Sequence, residues 1–293
     1  MNAAAVPEAS HPASELASGP ASSKKGQILA WASWDWGSAA FNAIMTTFVF
    51  TVYLTSSAFG GEDSASAALG AALAVAGLAI ALLAPVTGQR SDAGGRRKLW
   101  LGVNTAATAV LTALCFFVFP QPGFLLLGVC LIALANIFFE FAGVNYNAML
   151  AQISTPKNIG KVSGFGWGMG YLGGIVALLL VLQLFVQPSF EWFGASTEES
   201  LNIRLVAIFS ALWFFIFALP VLFAVPEVSV KKDTASLGFV ASYRLLLRRI
   251  VAIYRTSPHT IYFLLSSAIF RDGPCCSLHV RRGDRGRDLW FRA

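Results

Sequence analysis

The chain has 293 residues, of which 56% are hydrophobic and only 12% are charged, and it carries a net charge of +6. Soluble domains carry about 25% charged residues, so this composition excludes an ordinary soluble enzyme or binding module and indicates a membrane protein. The positive charge does not indicate nucleic-acid binding, because the basic residues cluster in short loops beside apolar runs.

Six apolar runs make up most of the chain, and each is long enough to cross a bilayer, which takes about 20 mostly apolar residues. Residues 1–26 precede them, are mainly Ala, Ser, Pro and Glu, and predict a disordered cytoplasmic tail. We interpret residues 27–225 as a six-helix transmembrane bundle. The runs are approximately Ile28–Ala58, Ala67–Val86, Leu99–Phe119, Gly123–Tyr146, Gly164–Val186 and Arg204–Val225.

The first run contains a polar stripe whose members follow helical spacing and therefore share one helix face. They are Trp31, Asp35, Ser38, Asn42 and Thr46. A carboxylate inside a bilayer is costly and usually faces an internal cavity, so the stripe predicts a pathway for substrate or protons. The alternative is a position near the cytoplasmic surface, with Trp31, Trp34 and Trp36 in an interfacial aromatic belt.

The connection between the second and third runs, residues 88–98, is GQRSDAGGRRK. Its glycines let the chain reverse within a few residues, and its charged side chains can interact with nearby helix ends. This pattern, G-x-x-x-D-x-x-G-R-R-K, resembles the signature loop of the major facilitator superfamily of secondary transporters; a generic positive loop is the alternative. The residues of this predicted cytoplasmic loop are Gly88, Asp92, Gly95, Arg96, Arg97 and Lys98.

Glu140 is the second carboxylate that falls well within an apolar run, and Asn136, Gly143 and Asn147 surround it at helical spacing. A carboxylate between amides can bind a cation or a substrate amine, or carry a proton. A structural hydrogen bond to a neighbouring helix is the alternative. The predicted pathway residues are therefore Asp35, Ser38, Asn42, Asn136 and Glu140.

The fifth run is rich in glycine. Gly166, Gly170 and Gly174 are spaced by four residues and predict a face on which another helix packs closely. Residues 168–173 also fit the letters G-x-G-x-x-G, but a dinucleotide site requires a preceding strand, and none is predicted here.

A basic connector, residues 226–258, follows the sixth run. Its apolar residues recur at helical spacing, while Arg244, Arg248 and Arg255 share another face. This pattern predicts an amphipathic helix on the cytoplasmic leaflet, with a calmodulin-type target helix as the alternative.

Residues 259–273 predict the start of a seventh transmembrane helix. The following residues, 274–293, contain five arginines, no lysine and half of the cysteines. We interpret them as an aberrant tail read out of frame; a genuine short basic tail is the alternative.

The charged residues alternate in sign from loop to loop. The loops after the second, fourth and sixth runs are rich in Lys and Arg, whereas those after the first and fifth carry Glu or Asp. Positive loops face the cytoplasm, so we predict a cytoplasmic amino terminus in an integral, multi-pass protein. Abundant Gly and Ala with few Lys favour a bacterial plasma membrane over a vacuole.

Three segments narrow the resemblance within the superfamily. Residues 34–41, WDWGSAAF, resemble the opening YDWANSAF of the branch that includes the autophagy-related vacuolar amino-acid effluxers and their bacterial relatives. Residues 161–174, KVSGFGWGMGYLGG, resemble the RVSGxGWAxGYxGG stretch of that branch, and residues 146–150, YNAML, its YNAFLP loop, with Ala151 in place of proline. Together they cover about Trp34–Gly273.

This resemblance implies an all-α membrane protein: the six-helix amino-terminal bundle of a major facilitator fold, plus the start of a seventh helix. It also implies alternating access between two six-helix bundles, and amino-acid efflux from the vacuole in fungal members. The resemblance does not decide whether Asp35 or Glu140 carries a proton or binds a substrate amine.

The sequence contains no arrangement typical of an enzyme, a metal centre or a cofactor site. We therefore predict a non-enzymatic, truncated half of a secondary transporter that exports small solutes such as amino acids and is coupled to protons or to another gradient. Its expected partners are the lipid bilayer, a small-molecule substrate and a second six-helix bundle, and not nucleic acid. The alternative is a non-transporting membrane half that binds a partner bundle.

Overall fold

The computed structural model describes residues 21–186, 200–227 and 239–267. The elements within these ranges are helices and short turns, with no β-strand. The helices are α1 (Ala21–Ala40), α2 (Phe50–Leu54), α3 (Glu62–Gly94), α4 (Arg97–Leu114), α5 (Leu125–Ile153), α6 (Ile159–Val181), α7 (Leu201–Ala224) and α8 (Phe239–Thr256).

The predicted membrane fold is confirmed. Six segments of the described chain are helical, long and apolar enough to cross a bilayer. They are Lys25–Leu54, Glu62–Ser91, Arg97–Phe117, Pro122–Ile153, Ile159–Phe185 and Leu201–Ala224. The helix of the first span begins at Ala21, which lies inside the tail predicted over residues 1–26.

The first span is not a uniform α-helix. A π-helical segment, Phe41–Phe48, joins α1 to α2, and the N–H of Val49 donates to the carbonyl of Ile44, five residues earlier, at 3.0 Å. Because a π-helical turn contains more residues than an α-helical turn, positions beyond Asn42 change face. The sequence periodicity assumed an α-helix throughout and could not indicate this shift.

The bundle is organised around α1 and α5. Helix α1 packs against α6 and α7, α5 packs against α3 and α4, and α4 packs against α7. Trp31 and Trp34 on α1 are only 2% and 3% exposed, so both side chains lie in the protein core. The alternative of an interfacial aromatic belt is therefore wrong for these two tryptophans.

The glycines of α6 face α1. A Cβ atom built on Gly166 would lie 2.5 Å from Cζ3 of Trp31, and one on Gly174 would lie 3.4 Å from Cβ of Ala39. The tightest approach is at Gly173, which contacts the backbone carbonyl of Trp36. The spacing of Gly166, Gly170 and Gly174 did not indicate Gly173, because it depends on how the two helices are rotated.

The connection predicted over residues 88–98 is much shorter in the structure. Helix α3 continues through Gly94 and α4 begins at Arg97, so only Gly95 and Arg96 separate them. Gly95 has a φ of 61°, and the N–H of Arg96 donates to the carbonyl of Ser91 at 3.4 Å, as in a Schellman helix end. The expectation of an extended loop is corrected to a tight two-residue turn.

The other residues predicted for this loop lie within helices α3 and α4. Gly88 is inside α3, and a Cβ atom there would lie 3.2 Å from Cγ1 of Val144 on α5, which makes it a helix-packing position. Nη1 of Arg97 donates to the carbonyl of Ala148 at 3.3 Å and so links this end of α4 to α5. Lys98 lies in the first turn of α4, and the side chain of Asp92 is outside the described residues.

A buried cation anchors the opposite end of the bundle. Arg204 of α7 is 5% exposed, and its Nε donates to the carbonyl of Phe116 at 2.6 Å. Its guanidinium carbon lies 3.7 Å from the centre of the Phe119 ring. A charged hydrogen bond and a cation–π contact thus fasten α7 to the end of the third span.

The chain divides into two compact units, with residues 237–293 in the second. In that unit α8 falls within the predicted connector, and its Arg244, Arg248 and Arg255 are exposed. Residues 258–267 are also helical and correspond to the predicted start of a seventh helix at 259–273. The tail predicted over 274–293 lies outside the described residues.

Candidate functional site

A cavity of about 580 Å³ lies within the first unit, between the first, fourth and fifth spans. We call it the groove. Residues of α1, the π-helical segment, α5 and α6 line it, and it opens where Glu140, Trp167 and Tyr171 are exposed. Its volume is in the range of small-molecule sites, about 300–1,000 Å³.

Asp35 contributes a carboxylate to the wall formed by α1. A Cβ atom on Gly170 of α6 would lie 3.3 Å from Cγ of Asp35, so the missing side chain at Gly170 leaves room beside the carboxylate. The hydroxyl of Ser38 donates to the carbonyl of Asp35 at 3.0 Å and lies 3.5 Å from its Oδ1. Asp35 is half-buried and lines the groove.

The π-helical segment determines how the stripe continues. Asn42 is exposed and lines the groove, and its backbone carbonyl accepts hydrogen bonds from the hydroxyls of Thr46 at 2.7 Å and Thr47 at 2.8 Å. The threonine that lines the groove is Thr47. The continuation predicted at Thr46 is therefore corrected by one residue, because of the wider turn.

Glu140 lies on the wall formed by α5, together with Gly143 and Asn147. Asn136, the fifth predicted pathway residue, is half-buried and is not among the residues that line the groove. The structure thus brings four of the five predicted residues to one cavity and leaves Asn136 outside its wall.

Stacked aromatic rings form part of the groove wall. The rings of Trp31 and Tyr146 are parallel, with centres 4.5 Å apart, and those of Trp34 and Tyr146 are 4.3 Å apart. The indole N–H of Trp31 donates to the carbonyl of Tyr146, and that of Trp34 donates to the hydroxyl of Thr105, both at 3.1 Å. Buried indole groups with satisfied donors hold this wall in one geometry.

Tyr146 is the functional candidate that periodicity did not indicate. The residue is 4% exposed and lines the groove, and its hydroxyl has no hydrogen-bond partner among the described residues. The available signal was the YNAML segment, which contributed to the resemblance without assigning a role to the tyrosine.

The groove is lined by acidic, polar and aromatic side chains. It presents two carboxylates, two amides and several hydroxyls between aromatic walls, and none of its described lining residues is basic. In the described ranges, no group of three or more His, Cys, Asp or Glu side chains could hold a metal ion.

Comparison with known proteins identifies a matching family and a bacterial relative. The family model described as "Vacuole effluxer Atg22 like" matches residues 57–278. An uncharacterized MFS-type transporter of Bacillus subtilis strain 168, YxiO, is 28% identical over 197 residues, which cover 66% of this chain and 45% of the relative. The chain thus spans about half the length of the curated relative it matches.

No solved structure matches the chain at a significant level. The family match covers well over half of the chain and includes the connected helices that form two of the groove walls, α5 and α6. The chain therefore belongs to the Atg22-like branch of the major facilitator superfamily of membrane transporters.

Proposed function

We propose that this chain is the amino-terminal, six-helix half of a secondary active transporter that exports a small solute through the groove. The observation that carries the proposal is that Asp35 of α1 and Glu140 of α5 line the same cavity of a bundle whose helices are long and apolar enough to span a membrane. Ionisable groups in such positions mark ion or substrate pathways, because they are costly elsewhere in a bilayer.

The proposal includes proton coupling and a second bundle. A carboxyl group that faces a water-filled groove can release its proton when a cation binds and take up a proton when the cation leaves. This alternation links solute movement to a proton gradient. The second six-helix bundle closes the open side of the groove, and rocking of the two bundles exposes it to either membrane face in turn. The amino terminus and the basic turn at Gly95 lie in the cytoplasm of a bacterial cell, following the positive-inside pattern.

Transport measurements with matched carboxylate variants test this proposal. Everted membrane vesicles from cells that produce the chain together with its second bundle are energised with a proton gradient and assayed with radiolabelled amino acids. We expect uptake above that of vesicles from cells without the protein, and a loss of about 100-fold in Asp35→Asn and Glu140→Gln, since each change removes an ionisable group from the pathway.

Glu62→Gln is the control, because Glu62 is an exposed carboxylate at the start of α3, outside the groove. Transport that survives in both groove variants contradicts the assignment of Asp35 and Glu140. Equal losses in the control and the groove variants would show a general effect of lost charge.

A second candidate function is a non-transporting half that binds a partner bundle. It is favoured by the exposed aromatic side chains of Trp167 and Tyr171 on α6, at the open side of the groove, where another helical bundle can pack. The uptake assay discriminates the two: both candidates include a complex with a second helical bundle, detected by cross-linking in the membrane, but this one requires that the complex shows no gradient-driven uptake.

A further inference from the structure

We propose that the exposed face of α8 binds the surface of the lipid bilayer and selects anionic phospholipids over zwitterionic ones. The proposal goes beyond the proposed function, because it concerns the second compact unit and not the groove, and it holds whether or not the chain transports a solute. The sequence pattern predicted a helix on the cytoplasmic leaflet without indicating which lipids the helix contacts.

The first argument is the charge of this part of the chain. Residues 234–271 contain five arginines, no lysine and no Asp or Glu. Three of these arginines, Arg244, Arg248 and Arg255, have exposed side chains on α8, and we call them the arginine row. The described residues of this unit, 239–267, offer the row no acidic partner, and a surface of net negative charge complements it.

The second argument is the position of the arginine row on the helix. Residues spaced by four and by seven share one helix face, and the three arginines follow this spacing. All three line one surface depression of about 810 Å³, together with Leu247 and Val251. A guanidinium group binds phosphate through two parallel hydrogen bonds, so the row suits a layer of phosphate groups that no choline cation neutralises.

The third argument is the apolar residues beside the arginine row. Leu247, Ile250, Val251 and Tyr254 are all exposed. When a basic amphipathic helix lies on a membrane, such residues are buried at the boundary between headgroups and acyl chains, while the basic residues contact the headgroups. The arrangement of α8 thus matches both layers of an anionic bilayer surface.

The place of α8 in the chain favours lipid over a protein as its occupant. The sixth span ends at Ala224 before α8 begins, and exposed apolar side chains, among them Tyr262 and Phe263, follow it in the helical residues 258–267. A bilayer that holds the spans is therefore tethered close to α8 at all times. A tethered surface has a high effective concentration, which a separate protein lacks.

Fluorescence of a dye on α8 tests the proposal in the full chain. The four native cysteines are replaced by alanine, and Leu247→Cys is labelled with the environment-sensitive dye nitrobenzoxadiazole. The chain is placed in nanodiscs of phosphatidylcholine alone or mixed with phosphatidylglycerol, each with a trace of doxyl-labelled phosphatidylcholine that quenches a dye at the bilayer. We expect the ratio of docked to undocked α8 to be at least about tenfold higher with phosphatidylglycerol, because only that surface attracts the arginine row.

A triple variant locates the interaction. It carries Arg244→Gln, Arg248→Gln and Arg255→Gln. In phosphatidylglycerol nanodiscs it is expected to lower the docked-to-undocked ratio by about 100-fold, at about fivefold for each arginine near an anionic surface. Raising the salt concentration from about 0.1 M to about 1 M should also release α8 in the unmodified chain, because the screening length falls from about 10 Å to about 3 Å.

The control removes the same charge from exposed residues outside α8. It carries Arg90→Gln, Lys157→Gln and Lys161→Gln, and it should dock as the unmodified chain does. Circular dichroism and a monodisperse size-exclusion peak show that each variant is folded.

Equal quenching in the two lipids, or quenching in phosphatidylglycerol that the triple variant retains, would overturn the proposal. So would a dye that stays unquenched in both lipids and shifts its emission only when calmodulin, an acidic helix-binding protein, is added, since α8 would then bind a protein. An emission shift seen only in nanodiscs that hold two copies of the chain would assign the face to a second copy and would also overturn it. The uptake assay is independent, because none of these variants alters Asp35 or Glu140.

Discussion

Replacement of Gly173 by alanine is expected to destabilise the bundle by more than about 3 kcal/mol, the upper range for overpacking a close contact. A methyl group at this position collides with three backbone atoms of Trp36: the carbonyl oxygen, Cα and the carbonyl carbon. These are backbone atoms of a helix and cannot rotate away as a side chain would. The added group must therefore push α6 away from α1, which also opens the groove between them.

Gly168→Ala is the matched control for this prediction. Gly168 lies on the same helix, and nothing is within 4 Å of the Cβ position, so alanine should stabilise the helix by about 0.5–1 kcal/mol through lower backbone freedom in the unfolded chain. Thermal unfolding of both variants in detergent, followed by the loss of the monodisperse size-exclusion peak, gives the comparison. Equal midpoints for Gly173→Ala and the unmodified chain would show that α1 and α6 are not packed as described.

Replacement of Trp34 by alanine is expected to cost about 3–5 kcal/mol, the range for removal of a buried tryptophan. The ring stacks on Tyr146, packs edge-on against Phe214 at 5.6 Å, and donates to the hydroxyl of Thr105. Alanine leaves a cavity where α1 meets three other helices, and it leaves the Thr105 hydroxyl without its donor.

Two further variants separate these contributions in the same unfolding measurement. Trp34→Phe keeps much of the ring packing and loses the indole donor, so its loss should be smaller than that of alanine. Trp167→Ala removes a tryptophan that is 59% exposed and should change stability by no more than about 0.5 kcal/mol, as for an exposed position. Similar destabilisation by Trp34→Ala and Trp167→Ala would contradict the buried position of Trp34.

The spans could be predicted from the sequence because long apolar runs have few alternatives in a bilayer, where the backbone must satisfy its own hydrogen bonds. The same runs do not indicate how each helix is rotated about its axis, because most of the helix surface is apolar. The close contact at Gly173 and the burial of Trp34 depend on that rotation, and neither follows from spacing along one helix.

Most of the groove could be anticipated because a carboxylate inside an apolar run is unusual enough to indicate a cavity. Asp35, Ser38, Asn42 and Glu140 line it. The errors have local causes: the π-helical turn moves the stripe from Thr46 to Thr47, and the Schellman end extends α3 into the predicted loop. The position of Tyr146 in the groove wall could not be anticipated from spacing along α5. It depends on Trp31, which lies more than one hundred residues away in the sequence and donates to the carbonyl of Tyr146.

Cysteine labelling tests the central claim, that the groove is a water-filled path inside the membrane-spanning bundle. The four native cysteines are replaced by alanine, and single cysteines are introduced at Asn42, at Glu140 and at Leu134, an exposed apolar residue of α5 outside the groove. Thiols react as thiolates, which form in water and not in lipid. We predict that a charged, membrane-impermeant methanethiosulfonate reagent labels the cysteines at 42 and 140 at least about tenfold faster than that at 134, since only the first two contact water; equally slow labelling at all three positions would contradict the groove as a path for solutes.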